Sequence, residues 1–222
     1  MPAIIAHRWP TLARRLVWST VVHAPTLLWV RLAVARGNLI AMAAFDPDAT
    51  GQDLGFRLLA NTAVTLFWRA DLLAEATLWL AEHGYQVIQL GSSPWAAEAD
   101  FHRDMKTALD FPDYYGHNLD ALNDCLRDVV NHRYGWSPDA TGLVLAFTAY
   151  DRFALSCPRA AQIVLDIIAC QSRSASLLGR RLICLVQSED PQIRFEPVGA
   201  TPVLWNDAEW LDSRRRTKGV ET

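Results

Sequence analysis

The 222-residue sequence predicts an α/β fold: a mainly parallel sheet of about four strands with helices on its faces. Three observations carry this. From Thr62 onward, short β-branched and aromatic runs alternate with stretches of helical periodicity. Glycine and proline stand at the junctions between them. A composition of 51% hydrophobic and 20% charged residues supports a sizeable core and not a disordered chain. The sequence contains no internal repeat and no low-complexity segment.

Thr62 to Trp68 (TAVTLFW) reads as the first strand. Asp71 to Glu82 follows as a helix with Leu72, Leu73, Ala76 and Leu80 on its apolar side, and Gly84 suits the left-handed position that ends it. Tyr85 to Leu90 is a second strand, so residues 62–90 spell a β-α-β unit. Ser93-Pro94 is expected to open the next helix, with Pro94 at its first position and Ala97, Phe101, Met105 and Ala108 or Leu109 inward, and Pro112 closes it. A further helix starts at Asn118, a good N-cap, with Leu119, Leu122, Leu126 and Val129 inward at spacings of three and four. Leu143 to Tyr150 is a central-strand candidate, Pro158 begins a long helix that ends by Gly179, and Arg181 to Val186 is the last core strand. Pro191 to Asp212 forms a C-terminal addition.

Charge is distributed unevenly. The first 45 residues hold Arg8, Arg14, Arg15, Arg31 and Arg36 and no acid, whereas residues 46–212 hold 23 acids against 12 Lys or Arg, a balance of −11. That balance argues against a nucleic-acid ligand, whose phosphates need basic groups, and fits a basic protein partner. Leu16 to Val30 lacks formal charge for 15 residues, too short for a membrane span of about 20. Residues 1–41 are therefore read as an extension with three alternatives: a dispensable or spurious stretch before a start at Met42, a targeting segment cleaved after Ala33-Val34-Ala35, or a helical appendage. The remainder divides into a β-α elaboration at 42–83, a central domain at 84–187 and an addition with a basic tail at 188–222. Cys125, Cys157, Cys170 and Cys184 show no C-x-x-C spacing and read as reduced thiols of a cytoplasmic protein, with Cys125 as small core packing.

The stretch FPDYYGHNLDALNDCLRDV, residues 111–129, places Asp120, Asp124 and Asp128 at four-residue spacing, which costs a helix a few tenths of a kcal/mol per pair. Asp120 lies in the first turn, where a carboxylate suits the helix dipole. Asp124 lies a full turn deeper and has no such explanation, so partner recognition is the reading for it, while Asp128 belongs to a solvated polar face. Of the adjacent Tyr114 and Tyr115, one is expected to pack under the loop and the other to face solvent or a partner. Gly116 serves a turn that a side chain would obstruct.

The run PDYYGHNLDALNDCL, Pro112 to Leu126, is similar to the signature of the barstar family, intracellular inhibitors of the extracellular ribonuclease barnase. In that family a Pro-acid-Tyr-Tyr-Gly-x-Asn-Leu-Asp-Ala-Leu-x-Asp-Cys-Leu segment forms a loop and helix that plug the nuclease active site, and only His117 and Asn123 need wildcards here. The order of elements also fits over roughly Gly84 to Gln187. The resemblance implies a barstar-like three-layer fold, extended by the N-terminal β-α unit and the C-terminal tail. It also implies that Tyr114, Gly116, Asn118, Leu119, Asp120 and Asp124 contact a ribonuclease, Asp124 taking the place of a substrate phosphate. Asn123, where the family's best-known member has an aromatic residue, and Arg127, in place of a small hydroxyl residue, complete the expected contact set. An acid that the family carries late in the long helix falls near Cys170.

The expected function is thus inhibition of a basic, barnase-like ribonuclease or nuclease toxin by the loop-helix 113–127, by a protein that is monomeric when free and needs no cofactor, metal or catalysis. The expectation includes no membrane and no nucleic-acid partner. The alternative is a non-inhibitory interaction module for another basic protein. A metal-dependent hydrolase is the third reading: His117, Asp120 and Asp124, or Asp124, Asp128 and His132, can be drawn on one helix, but no second segment supplies ligands. No phosphate-binding glycine loop and no G-x-S-x-G motif is present.

Overall fold

The computed structural model describes residues 53–211 and Arg215, so the expectations for segment 1–41 lie outside the described residues. The described residues open with a helix the sequence reading did not foresee, α1 (Leu54–Ala60). Asp53 caps it, its carboxylate accepting from the Phe56 amide at 2.6 Å. β1 (Val64–Phe67), fully buried, and α2 (Ala70–Glu82) follow, and Gly84 takes a left-handed φ of 83° as the helix ends.

After β2 (Gln86–Gly91), helix α3 spans Glu98–Ala108, four residues later than Pro94. The later start has a packing cause. Trp95 is driven into the core and closes a turn by donating its amide to Ser92 O at 3.0 Å, which pulls the chain out of helical geometry before Ala97. Ala97 is exposed and has no side-chain cap to offer. The helix start is held from inside by Asp100, which accepts from the amides of Ala96 and Ala97 at 3.1 Å. Phe101, Met105, Ala108 and Leu109 do face inward.

Next come α4 (Leu119–Val130) and β3 (Leu143–Thr148). The strand stops short of the expected Tyr150 because Ala149 turns left-handed, at φ 52°, and starts a second unforeseen helix, α5 (Tyr150–Ser156). Tyr150 and Phe153 of α5 join Trp95, Phe101 and Phe147 in one buried aromatic cluster. α6 (Pro158–Leu177) begins at its proline, and β4 (Leu182–Gln187) follows. The C-terminal addition contributes β5 (Leu204–Trp205).

All five strands are parallel, in the order β2-β3-β4-β1-β5. β1 pairs with β4 and carries β5 on its other side, so both flanking segments extend the sheet beyond β2-β3-β4. Alternation along the strands separates two cores. Leu143, Leu145, Phe147, Leu182, Cys184 and Val186 face α3 to α6, whereas Val144, Ala146, Ile183 and Leu185 face α1 and α2. Helices cover both faces, as an all-parallel sheet requires.

The C-terminal segment is locked to the sheet by a buried acid. The Glu209 carboxylate accepts from the Trp68 and Arg69 amides at 2.9 and 2.8 Å, and also from the Asn206 side-chain amide. It supplies at the start of α2 the acceptor that Arg69, the N-cap residue, lacks. All four cysteines are free thiols, and burial pushes the Cys184 thiol well up. Among the described residues no helix is long and apolar enough to cross a membrane.

Candidate protein-binding site

Helix α4 is fixed by the apolar stripe Leu122, Cys125, Leu126, Val129 and Val130, all buried in the main core against α6. Each fully buried Leu or Val contributes about 1.5–3 kcal/mol, so the inward face decides the helix's rotation and the polar residues take what remains. Asn118 caps the start, its Oδ1 accepting from the Ala121 amide at 2.8 Å, while its Nδ2 donates to Gly116 O at 3.3 Å. The sharp bend before the cap is made by His117, at φ 49°, and not by glycine geometry at Gly116. Gly116 matters for space: a Cβ there would lie 3.1 Å from Asn118 Nδ2, pressing on the cap.

The two tyrosines divide as the sequence suggested. Tyr114 is 75% exposed and Tyr115 3%. Tyr115 stacks edge-on against Phe111, and its hydroxyl lies 2.5 Å from Nδ1 of the fully buried His102 on α3, whose Nε2 lies 3.1 Å from Glu98. Burial raises the Tyr115 pKa, so the phenol stays protonated and donates to Nδ1, leaving the Nε2 proton for Glu98. The same burial lowers the His102 pKa against the opposing pull of Glu98. This three-residue chain anchors the loop that presents Tyr114. The sequence reading assigned His102 no role; its spacing of four from Glu98 was the available signal.

Asp120, Asn123, Asp124 and Arg127 fall on the outer side of α4, next to Tyr114 and Asn118 in the preceding loop. Leu119 is only partly buried and packs against the core edge. Asp120 is exposed in the first turn. Asp124 and Arg127 form an ion pair at 3.0 Å, with both side chains more than half exposed. Asn123 Oδ1 accepts from Gln171 Nε2 of α6 at 2.9 Å, a contact for which the sequence carries no local signal. Asp128, expected on a solvated face, is only 21% exposed and lies 3.5 Å from Arg133. The resulting surface exposes two carboxylates, a guanidinium, an amide and an aromatic ring, with no aromatic residue at position 123. Among the described residues no three His, Cys, Asp or Glu side chains are gathered to hold a metal ion.

Comparison with known proteins covers this same region. Residues 85–187 match the family described as Barstar (barnase inhibitor). This stretch, just under half of the chain, is similar to that family. Its boundaries run from the start of β2 to the end of β4 and enclose the whole candidate site. A Bacillus subtilis (strain 168) protein named "Putative ribonuclease inhibitor YrdF" is 76% identical over 30 residues, 14% of this chain and 33% of that protein. The match thus spans about a third of the relative's length. The five-stranded, all-parallel sheet with helices on both faces agrees with a barstar-like fold.

Proposed function

We propose that this protein binds and inhibits a ribonuclease, occluding the enzyme's active site with the acidic loop-helix 113–127. The observation that carries the reading is that the barstar match encloses a loop and helix whose Tyr114, Asp120 and Asp124 are exposed together, while Leu122, Cys125, Leu126, Val129 and Val130 are turned into the core. A carboxylate on a rigid helix can enter a cationic phosphate-binding cleft without reorganisation, and an exposed tyrosine adds apolar area with one polar end. Asp124 takes the place of a substrate phosphate, Asp120 supports it one turn earlier, and Tyr114, Gly116, Asn118 and Leu119 form the loop side of the contact. Asn123 and Arg127 complete the outer edge.

The target in this reading is a basic ribonuclease of the barnase type or a nuclease toxin, and the protein acts in the cytoplasm as an immunity factor, without catalysis or cofactor. The balance of −11 over residues 46–212 speeds encounter with such an enzyme. Residues 84–187 carry the contact surface, whereas β1 and β5 from the flanking segments widen the sheet. The experiment is to measure binding of the full chain to a barnase-type ribonuclease across a salt series, beside Asp124→Ala. Tight binding by the wild type alone, with an association rate that falls as salt rises, supports the reading; equal binding by both removes the acidic site from it.

A second reading, a non-inhibitory module for another basic protein, is favoured by the Asp124–Arg127 pair, which offsets part of the site's negative charge. Binding of the ribonuclease without loss of its activity would select it.

A further inference from the structure

We infer that Arg127 determines target specificity: it holds Asp124 in the free protein, and a target must offer a carboxylate to Arg127 beside the cations that receive Asp124. The inference rests on the inhibitory reading above and names the chemistry of its partner more closely.

Three observations lead to it. The Arg127 guanidinium lies 3.0 Å from the Asp124 carboxylate, with side-chain exposures of 59% and 64%. An exposed pair of this kind contributes little free energy, so a cationic cleft can draw Asp124 away from it at small cost. The guanidinium then remains on the docking face, one turn further along α4. Cys125, Leu126 and Val130 fill the core below, Asn123 is engaged by Gln171 at 2.9 Å, and the adjacent acid Asp128 already lies 3.5 Å from Arg133.

A cleft lined only by cations attracts Asp120 and Asp124 but repels Arg127, and like charges brought together at an interface are heavily penalised. A cleft with a carboxylate at its rim turns the same residue into an attractive contact. Arg127 therefore works partly by excluding the wrong enzymes, which is how interfaces separate similar partners. Arginine suits the role because its planar fork pairs with a carboxylate through two parallel bonds.

The test is calorimetric binding of full-length wild type, Arg127→Gln and Asp124→Ala to two forms of a purified barnase-type ribonuclease. One form is native, and in the other the carboxylates at the cleft rim are changed to amides. The inference predicts that Arg127→Gln binds the rim-amide form about tenfold more tightly than wild type does, with an unchanged melting temperature. Equal or weaker binding by Arg127→Gln overturns the inference while leaving the inhibitory reading intact. If neither wild type nor Arg127→Gln binds either form, the inhibitory reading falls and this inference falls with it. Loss of binding in Asp124→Ala shows that the contacts measured are those of this face.

Discussion

The imidazole of His102 and the phenol of Tyr115 meet at 2.5 Å in the interior, joining α3 to the loop that presents Tyr114. A buried polar contact of this kind orders a loop at the cost of pH sensitivity. The groups facing His102 are Glu98 on its own helix, Tyr115 and His117 in the loop, and the ring of Phe101.

Because burial lowers the His102 pKa, the unfolded chain binds a proton at this position before the folded one does. Stability from this site is complete above the ordinary histidine range of about 6.5 and declines as pH falls through that value toward the folded pKa. Melting temperatures of the wild type should drop between about pH 7 and pH 5. His102→Gln should flatten part of that slope while costing about 1–3 kcal/mol at neutral pH through the unpaired hydroxyl. A slope identical in both proteins would place the titration elsewhere.

Tyr114 and Tyr115 should respond oppositely to truncation. Tyr115→Ala removes a buried ring and should cost about 3–5 kcal/mol in denaturant unfolding, as other large aromatic truncations do. Tyr114→Ala should leave stability within about 0.5 kcal/mol and weaken ribonuclease binding about tenfold.

Asn118 and Asp120 separate capping from recognition. Asn118→Ala should lower stability by about 0.5–2 kcal/mol through the lost bond to the Ala121 amide. Asp120→Asn should change stability by about 0.3–1 kcal/mol, the scale of a charge at a helix start, and affect ribonuclease affinity more than folding. Paired thermal melts and binding isotherms distinguish the two.

Glu209 tests how the C-terminal segment is held. Glu209→Ala removes the acceptor of two partly buried backbone amides and should cost about 1–3 kcal/mol, with faster hydrogen exchange in β5 and at the start of α2. Ribonuclease binding should be unaffected at temperatures where the variant is folded.

Much of the fold was legible because the apolar periods were clean. The strands at 64–67, 86–91, 143–148 and 182–187 and the helices α2, α4 and α6 follow from alternation, three-four spacing, and caps such as Asn118, Gly84 and Pro158. Misses occurred where tertiary packing overrode local signals. Pro94 looked like a helix start, but burial of Trp95 delayed the helix to Glu98. Ala149 took a left-handed conformation that no alanine advertises, so α5 was hidden behind the end of β3. β5 is only two residues long and is positioned by its pairing with β1 and by Glu209, neither of which a local pattern reveals.

For the candidate site, the sequence offered a list of residues but not their contacts. The motif put Asp120, Asn123, Asp124 and Arg127 on one helix, and helical spacing alone turned them outward. It gave no sign that Asn123 is held by Gln171, 48 positions away, or that His102 and Glu98 brace the loop from α3. Such pairs are created by the packing of α4 on α6 and of α3 under the loop.

The most direct test of the account is the initial rate of RNA cleavage by a barnase-type ribonuclease, measured with increasing full-length protein and with its Asp124→Ala variant. The account predicts that the wild type abolishes cleavage near equimolar ratio, and that the variant needs at least about a hundredfold more protein, the scale expected when one partner of a desolvated charge contact is removed. Undiminished cleavage in the presence of excess wild type, or equal inhibition by both proteins, would contradict it.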